Sequence, residues 1–158
     1  MRVDQLFTIA YGHSMEYNRQ TINLGPSGIN FVSRTDRNNG VSGRVERVEG
    51  IEPAPAGTLS VALGGSVLAT FVQPEPYYCG RDVSVLTPIQ PMTTKERLWW
   101  AMCIRANRYR YSYGRQANRT LKSLELPDEV PEWVNEDYPV NVSLSVDTQE
   151  WRISTVAD

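Results

Sequence analysis

Fourteen of the sixteen basic residues in this chain are arginine, and they are not evenly spread. Between positions 97 and 122 there are seven basic residues and no acid, a local charge of +7. Within that run Arg108, Arg110, Arg115 and Arg119 interleave with Tyr111 and Tyr113. A second group, Arg34-Thr35-Asp36-Arg37-Asn38, stands just before Asn39-Gly40. Arginine presents a planar fork that pairs bidentately with phosphate or with guanine, where lysine acts as a point charge. Asparagine matches the edge of adenine in the same way. The chemistry these residues offer is anion pairing and base-edge hydrogen bonding. Each also has a plainer use: the arginines as a solvated charged face, Asn38, Asn39 and Gly40 as turn formers, and the two tyrosines as sheet packing.

Bond-making chemistry finds no matching pattern. Pro74-Glu75-Pro76-Tyr77-Tyr78 superficially resembles the loop with which amino-methyltransferases hold a target amine. It lacks the Asn or Asp acceptor before the prolines, and Glu75 separates them. No glycine-rich cofactor loop follows a strand, and Gly64-Gly65 lacks the Gly-Lys-Ser/Thr of a phosphate-binding loop. Pro127-Asp128 has no acid-x-lysine downstream of it, because both lysines, Lys95 and Lys122, lie upstream. With a single histidine, His13, and no nucleophile elbow, a hydrolytic triad is not expected. Cys79 and Cys103 with one histidine cannot supply a four-ligand zinc site and read as structural thiols. The expectation is a protein that is not an enzyme and needs no cofactor or metal.

The elements that must carry the arginines follow from periodicity. The segment 57–88 is apolar, alternating and punctuated by glycine and proline, and it predicts a central β-ribbon. In it Leu59, Val61 and Leu63 share one face, Gly64-Gly65 makes a tight turn, Val67, Ala69 and Phe71 follow, and a third strand spans 83–86. Earlier, residues 6–11 and the stretch from Ile29 predict strands. Asn39-Gly40 suits a two-residue turn pairing 34–38 with 41–45. Thr93 followed by Glu96 has capping-box spacing and opens a helix to about Ala106. Leu98, Trp99, Met102, Cys103 and Ala106 would form its buried face. From 123 onward nine acids face only Arg152, a local −8, and Val140, Val142, Leu144, Val146, Trp151 and Ile153 predict a terminal hairpin.

At 158 residues and a net charge of −2, this is one ordinary domain with a tail: residues 1–133 as the domain and 134–158 as an acidic β tail packed on it. No apolar run is long enough for a membrane helix and no secretory signal is visible, so a cytoplasmic location is expected.

The pieces LFTIAYG, FVSRTDRNNGVSG, TLSVALGGSVLATFVQPEPYYCGRDVSVLTP, the helix ending in YRYSYGR, and LELP follow one another over about four-fifths of the chain. In that order they resemble the target-recognition domain of type I restriction-modification specificity subunits and of related type IIB and IIG enzymes. The resemblance implies an α+β fold, a twisted and mostly antiparallel sheet with packed helices. It implies a module that reads double-stranded DNA for an adenine methyltransferase subunit, often accompanied by a nuclease, and that performs no catalysis itself. Under it Arg34, Thr35, Arg37 and Asn38 are candidate base readers, and Arg108, Arg110, Tyr111, Tyr113, Arg115 and Arg119 candidate backbone contacts. Specificity subunits carry two such domains with long helices between them, whereas this chain has one and shows no heptad pattern after Pro127. Half-length subunits that form homodimers are the nearer likeness. A different reading is a stand-alone phage or mobile-element protein that binds a methyltransferase subunit or interferes with restriction, which the acidic tail motivates.

Overall fold

A computed structural model describes residues 1–111 and 117–136. Tyr113, Arg115 and the expected hairpin at 140–156 lie outside the described residues. A single turn, α1 (Val3–Leu6), leads into seven strands. These are β1 (Phe7–Tyr11), β2 (Ile29–Val32), β3 (Val41–Val45), β4 (Leu59–Ala62), β5 (Thr70–Val72), β6 (Tyr77–Cys79) and β7 (Val83–Pro88). The main helix α2 (Thr94–Arg105) comes last, followed by short 3-10 turns.

The strands form two sheets, one ordered β1-β7-β4-β5 with antiparallel neighbours throughout, the other ordered β3-β2-β6. In the second sheet β2 is antiparallel to β3 and parallel to β6, so the fold is α+β and mostly antiparallel. The period-2 alternation of β7 divides the core. Leu86 joins Leu59, Val61 and the helix side, while Val83 and Val85 face Val32, Tyr77 and Cys79 of the other sheet. Because β4 is covered on both faces, Ser60 is buried rather than solvated, and its hydroxyl accepts a hydrogen bond from Gln73 Nε2 at 3.1 Å.

Three local expectations change. The turn after β4 is not a two-residue hairpin at Gly64-Gly65. The chain loops through 63–69, with Leu68 at φ 62°, before β5 starts at Thr70. The hairpin ending at β3 begins with β2, not with 34–38: Ile29 pairs with Val45 and Val32 with Val41. Residues 33–40 are therefore a long loop, in which Asn38, Asn39 and Gly40 all take positive φ.

The third change is the face of α2. Trp100, Ala101 and Ile104 are buried, with Arg97 half-buried in line with them, while Leu98 and Met102 are 50% and 58% exposed and Ala106 is exposed. Trp99 and Cys103 flank the buried stripe. The spacing 97, 100, 101, 104 is as good a helical stripe as 98, 102, 106, and docking against β5 selects the first.

The capping box is present: Thr93 Oγ1 accepts the Glu96 N–H at 3.1 Å, and Glu96 Oε1 accepts the Thr93 N–H at 2.8 Å. Asn135 reaches back to the same cap, donating to Glu96 Oε2 at 3.0 Å and accepting from Thr93 Oγ1 at 2.7 Å. The Thr93 N–H, and after it the Asn135 amide, hold the Glu96 carboxyl below its usual range. The contribution of that charge is thus present above the ordinary glutamate range and is lost as pH falls through the lowered value. Thr93→Ala is expected to cost about 1 kcal/mol in chemical denaturation, and less in acid where Glu96 is protonated.

Candidate nucleic-acid interface

Three segments converge at one edge of the four-stranded sheet: the loop 33–40, the loop 63–69, and the chain leaving α2 at 105–111. The first is tied down at its far end by the buried Gln73 amide and by Asn39. Gln73 is fully buried, donating through Nε2 to the Asn39 carbonyl at 2.8 Å, and Asn39 Nδ2 lies 3.3 Å from the Val72 carbonyl. Gly40 has φ +79°, a conformation that favours glycine, and an added Cβ would crowd the Phe71 ring at 3.1 Å. Ser33 and Ser42 close the base of the loop with a short hydroxyl contact.

The first and second loops then meet. The Ser66 N–H donates to the Arg34 carbonyl at 3.1 Å, and Gly65 lies flat against the Arg34 stem. Arg108 fastens the third segment to both. Its Nε donates to the Val67 carbonyl at 2.8 Å, and its Nη1 is 3.5 Å from Asp36. Arg105, one turn earlier, lies over the Phe71 ring at 5.4 Å. Behind them the Ala117 N–H donates to the Leu63 carbonyl at 2.8 Å, tying the segment that leads to Arg119 to the start of the loop 63–69.

The sequence candidates separate into three states. Arg37 and Arg119 are exposed and make no side-chain polar contact among the described residues. Arg110 is exposed, bonded through Nε to Asn107 Oδ1 at 2.9 Å and stacked over Tyr109 at 5.2 Å. Arg34 and Arg108 are held by acids, Arg34 by Asp82 at 3.3 Å and Arg108 by Asp36. Thr35 Oγ1 accepts the Arg37 N–H, and Asn38 Nδ2 donates to the Val41 carbonyl at 3.1 Å, so both shape the loop. Tyr111 packs on the main core and its hydroxyl bonds Thr120 at 2.6 Å. Arg105 and Asp82 belong to this surface and were missed in the sequence, because their places depend on contacts with Phe71 and with Arg34 that lie far off in the chain.

The residues that superficially suggested catalysis are occupied otherwise. Tyr77 and Tyr78 are fully buried, the first bonded to Thr58 at 2.8 Å and the second donating to the Ile51 carbonyl at 2.8 Å. His13 Nδ1 accepts the Cys79 N–H at 3.0 Å, which leaves Nε2 to donate to the Glu52 carbonyl at 2.8 Å. Burial pushes the Cys79 thiol up to about 12, far from a reactive thiolate. Among the described residues no group of three or more His, Cys, Asp or Glu could hold a metal, and no helix is long and apolar enough to cross a membrane.

The architecture is an α+β sheet fold that is shared with solved structures from type I restriction-modification systems. The S subunit of the type I restriction-modification system from M. genitalium matches with a TM-score of 0.59 and 21% identity over 80% of this chain. The HsdS subunit from Thermoanaerobacter tengcongensis matches with a TM-score of 0.59 and 17% identity over 78%. A structure addressing complex assembly and conformational transition of the type I R-M system matches at 0.59 and 16% over 78%. The chain spans about a third of the length of each of these proteins, with 33%, 31% and 32% covered. No protein-family model matches the chain, and no curated protein matches it in sequence.

Proposed function

We propose that this chain is a sequence-specific DNA-binding module that gives target specificity to a restriction-modification methyltransferase. The observation that carries the reading is the convergence of arginines from two segments, 33–40 and 105–111, across the loop 63–69 on one edge of a fold shared with type I specificity subunits. In this reading Arg37, Arg110, Arg115 and Arg119 pair with phosphates and set the register, while the loop 33–40 meets base edges in the major groove. The module works beside DNA in the cytoplasm and contributes no catalytic group. An adenine methyltransferase subunit, with or without a nuclease, supplies the chemistry, and a second copy of the module would supply a second half-site. Residues 1–133 form the reading domain, and 134–158 an acidic tail on the same body. Val134 and Asn135, at the start of that tail, already lie against the rest of the domain.

Titrating labelled duplex DNA at several salt concentrations tests this. Arg110→Ala and Arg119→Ala should each weaken binding to all duplexes alike and flatten the plot of log affinity against log salt by about one unit. If both slopes stay at the parent value, the basic edge is a solvated face and the proposal fails at its base.

A further inference from the structure

We infer that Asp82 and Tyr11 position Arg34 to read a single base, an inference that rests on the DNA-reading proposal above. Arg34 is held at its backbone, at its stem and at one guanidinium nitrogen. Its carbonyl takes the Ser66 N–H, and an added Cβ at Gly65 would fall 2.9 Å from the Arg34 Cβ, so the absence of a side chain there makes room for the arginine stem. Its Nη1 meets Asp82 Oδ2 at 3.3 Å. The Asp82 carboxylate, only 15% exposed, is fixed in turn, because Oδ1 accepts from the Tyr11 hydroxyl at 2.9 Å. The same hydroxyl accepts the Asp82 N–H at 3.0 Å, and the Asp82 carbonyl takes the Leu63 N–H at 2.8 Å. Tyr11 ends β1 and Asp82 is the turn residue directly before β7, so the holder is fastened at the ends of two paired strands of the four-stranded sheet.

Two consequences favour base reading over phosphate pairing. An arginine already held in one rotamer loses less freedom when it meets its target, which sharpens discrimination. The carboxylate beside it also repels phosphate, whereas the neutral O6 and N7 acceptors of guanine still attract the guanidinium. Its Nε–Nη2 edge has no partner among the described residues and is the edge left for that pairing. Arg37, with no such holder, is free to follow a phosphate.

The test is selection from a randomised duplex library with the full chain, followed by titration of one enriched and one non-enriched duplex. The parent should enrich guanine at one position, and Arg34→Ala and Arg34→Lys should lose it, by about 5- to 150-fold in relative affinity. Asp82→Asn removes the charge and keeps a residue type that tolerates the φ of +57° found there. It should lower the preference at that same position about tenfold and leave the others intact. Affinity for the non-enriched duplex should stay level or rise, because one repelling charge is gone. Tyr11→Phe, which keeps the carboxylate, should shift the same position in the same direction to a smaller extent. A merely structural role would lower both affinities together with the melting temperature. If Asp82→Asn leaves the preference unchanged or sharpens it, Asp82 is a competitor for Arg34 and the inference is overturned. If the parent binds duplex but enriches no base, the DNA-reading proposal falls first and takes the inference with it.

Discussion

Trp100→Ala should destabilise the protein by about 3–5 kcal/mol, while Leu98→Ala and Met102→Ala on the same helix should each change stability by no more than about 0.5 kcal/mol. The indole of Trp100 is 3% exposed and lies in the main core with Ile104, Leu59 and Leu86, on sheet and helix alike. Removing it costs both the transfer of its area from water and the cavity left among neighbours that cannot close fully. Leu98 and Met102 are at least half exposed, so truncation there removes little burial. For a chain of this length the loss at Trp100 corresponds to a fall in melting temperature of roughly 6–20 °C. Thermal melts of the three variants measure which face of the helix is bound. Equal shifts at Leu98 and Trp100 would mean that α2 is rotated from the orientation described.

The second large effect is expected at Gln73, where stability and DNA recognition should fall together. Gln73→Ala removes a fully buried amide that serves the Asn39 carbonyl and the Ser60 hydroxyl, leaving both without a donor. The unpaired buried Ser60 hydroxyl, the part-buried Asn39 carbonyl and lost packing together should cost about 2–4 kcal/mol. The side of the loop 33–40 nearest β5 then loses its anchor, while the Arg34–Asp82 and Ser33–Ser42 contacts at the other end remain. At a temperature where the variant stays folded, preference between cognate and non-cognate duplexes should drop by about tenfold or more, with the salt dependence of non-specific binding preserved. Retained discrimination in a destabilised variant would show that the loop is held by β2 and β3 alone.

Much of the framework was legible because it depends on neighbours in sequence. Alternation located β1, β2, β3, β4 and β7 to within a residue or two at most ends, and the Thr93–Glu96 spacing located the helix start. What escaped depends on distant partners. Asn39-Gly40 carries the local signature of a two-residue turn, yet Gln73, more than thirty positions later, draws Asn39 into a longer loop. The stripe of α2 was misplaced because its first member is Arg97, a charge that pattern reading assigns to solvent. Arginine content pointed to the basic edge, but no local rule could separate a held Arg34 from a free Arg37, since the distinction is made by Asp82.

The Val3 N–H donates to the Leu124 carbonyl at 3.1 Å and the Leu126 N–H to the Met1 carbonyl at 2.6 Å, with Arg2 bridged to Glu125 between them. Residues 1–3 and 124–126 are thereby stitched side by side. Two stretches from opposite ends of the described chain thus draw it into a closed ring, so that loosening either one frees the other.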